Sequence, residues 1–246
     1  MTTLLIDGDL MLYRASSATE FSCQWDDDIW FLSSNLEESK DLFKQALEAL
    51  TNSLASVDRF IVALSDTANF RKLVYPAYKQ SRKNTRKPLV FRPLREWIED
   101  TYETVRFPSL EADDAIGILA TAPDFKGVVV SDDKDMQTLA CTLYRQQQLT
   151  QITPEEADRF WMLQTLMGDS TDGYQGCPGV GPKTAEKLLT GKTLRENWSH
   201  VVNTYRRNGL TEDDAVMNAR LARILRHGDY DTTTNEVKLW NPSTTM

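Results

Sequence analysis

Three short apolar runs, each closely followed by an aspartate, constrain the fold of this chain more than any other feature. Helical patterns separate the runs, and this alternation is typical of βαβ units around a parallel sheet. We therefore predict an α/β protein with a central, mostly parallel sheet flanked by helices. Carboxyl ends of parallel strands meet at one edge, so the aspartates should lie close together there. The runs are residues 3–6 before Asp7, 59–64 before Asp66, and 127–131 before Asp133.

Composition indicates an intracellular protein with a packed core. Hydrophobic residues make up 41% of the 246 residues. The three cysteines fit no disulfide framework and no zinc spacing, which favours a reducing compartment. A basic leader and an apolar run of membrane-spanning length are both missing from the sequence. We expect a cytoplasmic protein without membrane attachment.

One basic segment stands out in a chain whose net charge is −8. Nine Lys or Arg residues and no acid lie between Arg71 and Arg95. Such a segment can direct its field locally in an otherwise acidic protein. Cations mixed with aromatic side chains suit single-stranded nucleic acid; the alternative is a solvated charged loop. Poor core periodicity over residues 67–93 predicts an exposed insertion. The aromatic residues of the segment are Phe70, Tyr75, Tyr78 and Phe91.

The pattern becomes helical from about residue 153. Thr153 and Pro154 are typical of a helix start. We predict an α/β core over residues 1–152, which includes the basic segment 67–95, and a helical region over 153–246. Helices are expected at 155–167, 183–190, 193–207 and 211–226, and in the first half at 38–56 and 110–122.

Three acidic motifs extend the carboxylate pattern. Each has a simpler explanation when taken alone, as a helix cap or an Asx turn. Together they would repel one another without a cation, and oxygen-only ligand sets suit Mg²⁺ or Mn²⁺. The motifs are Glu111-Ala112-Asp113-Asp114, Ser131 to Asp135 with Asp133 and Asp135, and Met167 to Gly173 with Asp169 and Asp172.

A glycine-rich stretch, Gly176 to Thr184, is interpreted as a helix–hairpin–helix turn. A P-loop is excluded because Pro182 separates Gly181 from Lys183 and no apolar strand precedes it. Backbone N–H groups of such a turn can bind phosphate without regard to base sequence. A plain tight turn between helices is the alternative.

These motifs, in this order, resemble the 5′-nuclease family. That family comprises flap endonucleases, phage 5′→3′ exonucleases and the N-terminal nuclease domain of bacterial DNA polymerase I. The likeness spans roughly residues 4–190 and is greatest to the stand-alone exonucleases of short-tailed lytic phages. The matching stretches are Ile6-Asp7-Gly8-Asp9, Asp66 with Phe70-Arg71, Tyr78-Lys79 with Arg82, Glu111 to Asp114, Ser131 to Asp135, and Gly168 through Ala185.

The resemblance implies a PIN-like twisted sheet, a helical arch over residues 67–95 and a helix–three-turn–helix element near 172–190. It implies two metal ions. Asp7, Asp66, Glu111 and Asp113 would bind the first; Asp133, Asp135, Asp169 and Asp172 would bind the second, with Asp114 shared or bridged by water. Many relatives carry Ser or Asn in place of Asp9, which is interpreted as a helix N-cap. Residues 191–246 match no motif of the family.

The same resemblance implies how nucleic acid would bind. Arg71, Lys79 and Arg82 would hold the scissile phosphate. The turn would bind duplex DNA, with K⁺ at its carbonyl groups. The remaining DNA-binding residues would be Lys72, Tyr78, Lys83, Arg86 and Lys87 in the basic segment, and Gly176, Gly179, Gly181, Lys183 and Thr184 in the turn.

The implied function is that of a metal-dependent 5′→3′ exonuclease with flap endonuclease activity. It would use two Mg²⁺ ions, or Mn²⁺, to hydrolyse duplex DNA and RNA–DNA hybrids in phage replication, in the host cytoplasm and alongside replisome proteins. One alternative is a PIN-like ribonuclease, although such enzymes are usually smaller and lack the helix–hairpin–helix. Another is a non-catalytic DNA-binding protein, which would not need so many carboxylates.

Overall fold

The computed structural model describes residues 2–54 and 56–245. Its strands are β1 (Thr2–Asp7), β2 (Phe21–Asp26), β3 (Ile29–Ser33), β4 (Val57–Ala63), β5 (Thr104–Val105), β6 (Gly127–Val130), β7 (Thr142–Arg145), β8 (Gln148–Gln151), β9 (Tyr230–Asp231) and β10 (Glu236–Val237). Its α-helices are α1 (Gly8–Ala18), α2 (Leu36–Ser53), α3 (Arg71–Val74), α4 (Phe91–Thr101), α5 (Ala112–Ala120), α6 (Pro154–Met167), α7 (Pro182–Leu188), α8 (Leu194–Arg207), α9 (Glu212–Ala222) and α10 (Pro242–Thr245).

A six-stranded sheet in the order β5-β4-β1-β6-β7-β8 forms the centre of the fold. All neighbouring strands are parallel except β8, which returns antiparallel to β7 at the edge. The predicted mostly parallel sheet is confirmed. Asp7 pairs with Ala63, and Ile6 pairs with Val130, so the three inner strands end level. Residues that follow these strands therefore emerge at one edge.

Alternation along β1 divides the core into two layers. Leu4 and Ile6 point to one face and pack with residues of α1, α2 and α4. Leu5 points to the other face and packs with residues of α5 and α6. Because side chains alternate along a strand, one buried strand supplies both layers. All three side chains are almost fully buried, and each such burial stabilises the fold by about 1.5–3 kcal/mol.

The C-terminal helices enclose an apolar cluster of their own. Trp161 and Tyr205 lie at its centre, fully buried. The indole N–H of Trp161 donates to the carbonyl of Ala219 at 2.8 Å, so its polar atom is satisfied. Trp240 packs edge-on against Trp161 at 4.9 Å between ring centroids. The four helices predicted from the periodicity beyond residue 153 are confirmed as α6 to α9.

The basic segment differs from the exposed insertion that was expected. Residues 80–87 are exposed, but Arg71 and Tyr78 are buried at the base of the segment. Its helical content is the short α3, a 3₁₀ turn at Gln80–Asn84 and the start of α4. Helix α4, which buries Leu94 and Ile98, was not predicted from the sequence. The expectation was wrong at the base because apolar residues on both sides of the charged stretch draw it onto the core.

Two hairpins were also missed. β2 and β3 pair antiparallel between α1 and α2. β9 and β10 pair near the C-terminus. Both are short, and neither contributes to the main sheet.

Candidate active site

A cleft of about 600 Å³ lies at the edge where the parallel strands end. Carboxylates, lysines and arginines from both halves of the chain line it. The strand-end aspartates predicted this juxtaposition, which holds for Asp7 and Asp133 but not for Asp66. The acidic residues on its wall are Asp7, Asp9, Glu111, Asp113, Asp132, Asp133, Asp135, Asp169 and Asp172.

Asp7 occupies the centre of the sheet edge and also caps α1. Its carboxylate accepts the N–H of Leu10 at 3.1 Å and the hydroxyl of Ser131 at 2.8 Å. Burial raises the pKa of Asp7 to about 6. The interpretation of Asp9 as the helix N-cap is wrong, because Asp7 takes that position. Asp9 lies in the first turn of α1, and its carboxylate accepts the N–H of Ser65.

Glu111 and Asp113 come from the start of α5. Glu111 is the N-cap residue, and its carboxylate accepts from Lys79 Nζ at 2.5 Å and Tyr78 Oη at 3.0 Å. Burial opposes its ionisation, but the charges of Lys79 and Arg71 outweigh burial and lower the pKa of Glu111 to about 2. Burial, followed by the charges of Asp7 and other acids, raises the pKa of Asp113 well above its usual value.

A second group of carboxylates lies on the turns after β6 and α6. Asp133 caps a 3₁₀ turn and accepts the N–H of Asp135 at 2.9 Å. Burial, then the charge of Asp133, raises the pKa of Asp135 to about 6. Asp169 accepts from Lys134 Nζ at 2.7 Å. Although burial works against ionisation of Asp169, this lysine helps to keep its pKa below the ordinary value.

Asp172 connects this group to the basic segment. Its carboxylate accepts from Tyr78 Oη at 2.9 Å and from Arg82 Nη2 at 3.0 Å. Lys79 Nζ lies 3.5 Å away. The Tyr78 hydroxyl therefore bridges Glu111 and Asp172, and its ring is buried rather than available for stacking on a base.

The structure does not bring Asp66 and Asp114 to the cleft wall. The side chain of Asp66 accepts the N–H of Ser109 at 2.8 Å, and these backbone contacts lower its pKa. Asp114 is fully buried and pairs with Arg71. Their sequence positions match the family motifs, but in the structure both carboxylates bind protein groups instead.

Arg71 is likewise committed to protein acceptors. Its five N–H groups are distributed over two carboxylates and two carbonyls. They donate to Glu111, Asp114 and the carbonyl oxygens of Leu221 and Arg223. Arg71 was predicted to contact the scissile phosphate, but none of its N–H groups is free to donate to one here. The geometry favours a positioning role for Arg71 instead.

The fit of this cleft to a divalent metal rests on its donor chemistry. Among residues 2–54 and 56–245, no three His, Cys, Asp or Glu side chains are already close enough together to hold a metal ion. Lys79, Arg82 and Lys134 pair with the carboxylates instead. Yet burial and neighbouring carboxylates make ionisation of Asp7, Asp113 and Asp135 unfavourable. A hard cation bound between them would offset this cost of ionisation. All of these acidic side chains offer oxygen donors, which fit a hard divalent cation.

Four exposed cations of the basic segment, Lys72, Lys83, Arg86 and Lys87, lie outside the cleft. Lys72 and Lys83 are exposed. Arg86 Nη1 donates to Glu20 at 2.9 Å, and Lys87 Nζ lies 4.1 Å from the centre of the Phe91 ring. Arg86 thus has a protein partner, whereas Lys72 and Lys83 are exposed where a nucleic acid could contact them.

The glycine-rich turn separates into a buried and an exposed part. Gly176 has φ +63°, and a Cβ there would lie 2.2 Å from the Gly168 nitrogen. Its N–H donates to Asn218 Oδ1 at 3.0 Å, so it cannot bind phosphate. A Cβ at Gly179 or Gly181 would meet nothing within 4 Å. Lys183 and Thr184 are exposed at the start of α7.

Four residues in the cleft or in contact with its carboxylates have a place there that the motifs did not assign. Ser131 donates to Asp7, and the Gln164 side chain donates to Asp135. Tyr13 and Arg14 line the mouth of the cleft from α1. Gln164 could have been noticed as the one strongly polar residue in the otherwise apolar α6 stretch Trp161 to Met167. Tyr13 and Arg14 gave no comparable signal.

A carboxylate-lined cleft at the carboxyl edge of a parallel sheet, faced by lysine and arginine, is the arrangement of a metal-dependent phosphodiester hydrolase. The comparisons with known proteins agree. A family model for the 5′-3′ exonuclease N-terminal resolvase-like domain matches residues 2–161. The chain belongs to the 5′-3′ exonuclease family and is a hydrolytic 5′→3′ exonuclease.

Relatives in phages cover nearly the whole chain. The exodeoxyribonuclease of Enterobacteria phage T3 is 32% identical, over 97% of this chain and 92% of the relative. The exonuclease of Escherichia phage T7 is 31% identical, over 97% and 93%. A crystal structure of the bacteriophage T5 flap endonuclease in a pseudo-enzyme-product complex with DNA and metal ions matches with a TM-score of 0.60 and 17% identity, over 90% and 89%. This last likeness shows a shared fold.

None of the helices in the described ranges combines the length and the apolar character that a membrane span needs. The cysteines at 23, 141 and 177 are all free.

Proposed function

We propose that the chain removes nucleotides from 5′ ends of duplex DNA and of RNA primers, using two divalent metal ions bound in the carboxylate cleft. Mg²⁺ would serve in the cell, and Mn²⁺ would substitute. The observation that carries the proposal is the convergence of nine carboxylates with Lys79 and Arg82 on one cleft wall. The T5 structure with DNA and metal ions supports it by its shared fold.

Two groups of residues would hold the metal ions. Asp7, Glu111 and Asp113 would form one ligand set. Asp133, Asp135, Asp169 and Asp172 would form the other; Asp66 and Asp114 would support the site from outside the cleft. When bound, the ions activate water and neutralise charge on the phosphoryl oxygens.

The chain's own residues position the substrate and the ligands. Lys79 and Arg82 lie on the cleft wall and would donate hydrogen bonds to the phosphoryl oxygens as charge develops. The Tyr78 hydroxyl fixes the carboxylates of Glu111 and Asp172 relative to each other. Arg71 fixes Glu111 and Asp114 by donating to both carboxylates.

Nucleic acid would be held by two further surfaces. Lys72, Lys83, Arg86 and Lys87 would neutralise phosphates near the 5′ end. Gly179, Gly181, Lys183 and Thr184 would contact the duplex backbone at the turn after α6, with K⁺ at the carbonyl groups. The open space around both glycines supports close approach of a phosphate.

Because the T3 and T7 relatives are phage exonucleases, we further propose a role in phage DNA replication. The enzyme would then act in the host cytoplasm, on RNA–DNA hybrids as well as duplex DNA, beside replisome proteins. Flap endonuclease activity would accompany exonuclease activity.

The test is a product analysis with 5′-labelled duplex, nicked, RNA-primed and flapped substrates. Protein treated with EDTA should be inactive, and Mg²⁺ should restore stepwise cleavage from the 5′ end. Asp113→Asn should be inactive with Mg²⁺, whereas Asp124→Asn, an exposed carboxylate away from the cleft, should match the wild type. Cleavage of RNA alone would favour the PIN-like ribonuclease, and tight DNA binding without cleavage would favour the non-catalytic alternative.

A further inference from the structure

The β2–β3 hairpin presents an unusual concentration of exposed aromatic side chains. Trp25 is 82% exposed, and Phe21, Trp30 and Phe31 are each close to 60%. All six residues of β2 are exposed along its whole length. Large apolar side chains that are grouped and uncovered usually mark an interaction site.

Both faces of the hairpin carry aromatic residues. Phe31 lies opposite Cys23, and Trp30 lies opposite Gln24. Adjacent residues of one strand point to opposite faces, so the Trp30 and Phe31 rings project on opposite sides. A two-stranded hairpin is marginally stable alone in water. Exposed aromatics on both faces therefore fit a ribbon that inserts into a recess of another molecule, since packing on one side would leave half of them uncovered.

The charge of the hairpin identifies the kind of partner. Residues 15–39 contain no Lys or Arg, and Asp26, Asp27 and Asp28 form its tip. A phosphate backbone would be repelled by this surface. A protein surface with an apolar recess and a rim of Lys or Arg would complement it, because Trp anchors dominate such interfaces and opposite charges steer the encounter.

The root of the hairpin is tied to the basic segment. Glu20, directly before β2, accepts from Arg86 Nη1 at 2.9 Å and from the N–H of Leu89 at 2.7 Å. A partner bound to the hairpin would therefore lie on an element that is joined directly to the segment proposed to bind the 5′ end.

We propose that the β2–β3 hairpin is a docking ribbon for a basic protein partner that receives the aromatic side chains in an apolar recess. This goes beyond nuclease activity and does not depend on it. It gives the nuclease an attachment surface separate from the carboxylate cleft.

Binding of model peptides to the whole 246-residue chain tests the proposed chemistry. The probes are a fluorescein-labelled amphipathic Leu–Lys peptide, its Leu–Glu counterpart and a Ser–Lys peptide of equal charge without apolar residues. Fluorescence anisotropy should show binding of the Leu–Lys peptide alone. Trp25→Ala with Trp30→Ala should weaken it by about tenfold or more. Leu149→Ala, an exposed apolar residue on β8, should leave it unchanged.

A second variant keeps the test valid if the Trp substitutions unfold the hairpin. Changing Asp26, Asp27 and Asp28 to Asn should weaken Leu–Lys binding and flatten its salt dependence. The matched control neutralises three exposed acids elsewhere, Glu48, Asp124 and Glu155, and should have no such effect. Cleavage of nicked DNA should be unchanged in every variant.

Three outcomes would overturn the proposal. Peptide binding that persists in both hairpin variants would place it on another surface. Loss of affinity for nicked DNA in the Trp variant would make the hairpin a DNA contact. A wild-type dimer that the Trp variant converts to a monomer, seen by sedimentation, would make the occupant a second copy of this chain.

Discussion

Arg71 and Asp114 form a doubly hydrogen-bonded ion pair inside the protein, with Nη1–Oδ2 at 2.6 Å and Nη2–Oδ1 at 2.7 Å. Asp114 also accepts the N–H of Leu225, so the pair joins α5 to the segment after α9. Its neighbour Asp113 faces the cleft instead. Two adjacent carboxylates of one helix start thus have different surroundings: Asp113 lines the cleft, and Asp114 holds the protein together.

The first prediction separates these two carboxylates. Asp113→Asn should reduce cleavage by several orders of magnitude without lowering stability, because the lost charge is one that burial disfavours. Asp114→Ala should destabilise the fold by about 3–5 kcal/mol, since Arg71 would remain buried without its partner. Urea unfolding and single-turnover cleavage of nicked DNA measure the two effects. Equal loss of stability in both variants would contradict the division.

The second prediction concerns pH. Asp7 and Asp135 have pKa values of about 6 in the metal-free fold, above the value of about 3.9 in unfolded chains. The native state then binds more protons than the unfolded state between these values. Without metal, stability should therefore fall as pH rises from about 4 to about 6 and level off above. Folded Glu111, with a pKa of about 2, contributes in the opposite sense, but its contribution is nearly complete above about pH 5, where unfolded Glu is also ionised.

Divalent metal should reverse this trend, because ligands must be deprotonated to bind it. Urea unfolding in EDTA and in Ca²⁺, at pH 5 and pH 7.5, measures the effect. The stabilisation by Ca²⁺ should be larger at pH 7.5. An equal gain at both pH values would argue against Asp7 and Asp135 as ligands.

The third prediction distinguishes two glycines of one turn. Gly181 has φ −90° and free space around a Cβ, so Gly181→Val should fold normally and bind duplex DNA more weakly. Gly176→Ala should destabilise the protein, because the new Cβ would overlap the backbone at Gly168. Thermal unfolding and duplex binding in Ca²⁺ test both. Unchanged duplex affinity in Gly181→Val would leave the turn with a purely structural role.

The fourth prediction separates steering from catalysis in the basic segment. Changing Lys72, Lys83 and Lys87 to Gln should weaken binding to single-stranded 5′ ends and reduce the salt slope, by roughly 0.7 for each phosphate that the protein no longer neutralises. These three substitutions leave the Glu20–Arg86 ion pair intact. Lys79→Gln should lower the single-turnover rate more than affinity, because Lys79 lies on the cleft wall. Identical profiles for the two variants would refute this separation.

Local patterns were sufficient for the three inner strands of the sheet and for the helices α2 and α5 to α9. The apolar run before Asp7 is long enough for one buried strand, and capping residues such as Thr153 mark helix starts directly. The β2–β3 hairpin was missed because its residues are exposed on both faces, so the alternation that indicates a half-buried strand is lost.

The sequence by itself determined that carboxylates would gather at one edge of a parallel sheet, because strand direction and strand ends follow from local pattern. Only the tertiary structure decided which of them face the cleft. Asp113 and Asp114 are neighbours with the same chemistry, and Arg71 matches a family motif, yet packing against the segment at Leu221–Leu225 buries Arg71 with Asp114 and leaves Asp113 at the cleft. Arg71 and Asp114 are 43 residues apart in the sequence, and Asp114 and Leu225 are 111 apart. Contacts over such separations depend on how whole elements pack, which a local sequence pattern does not predict.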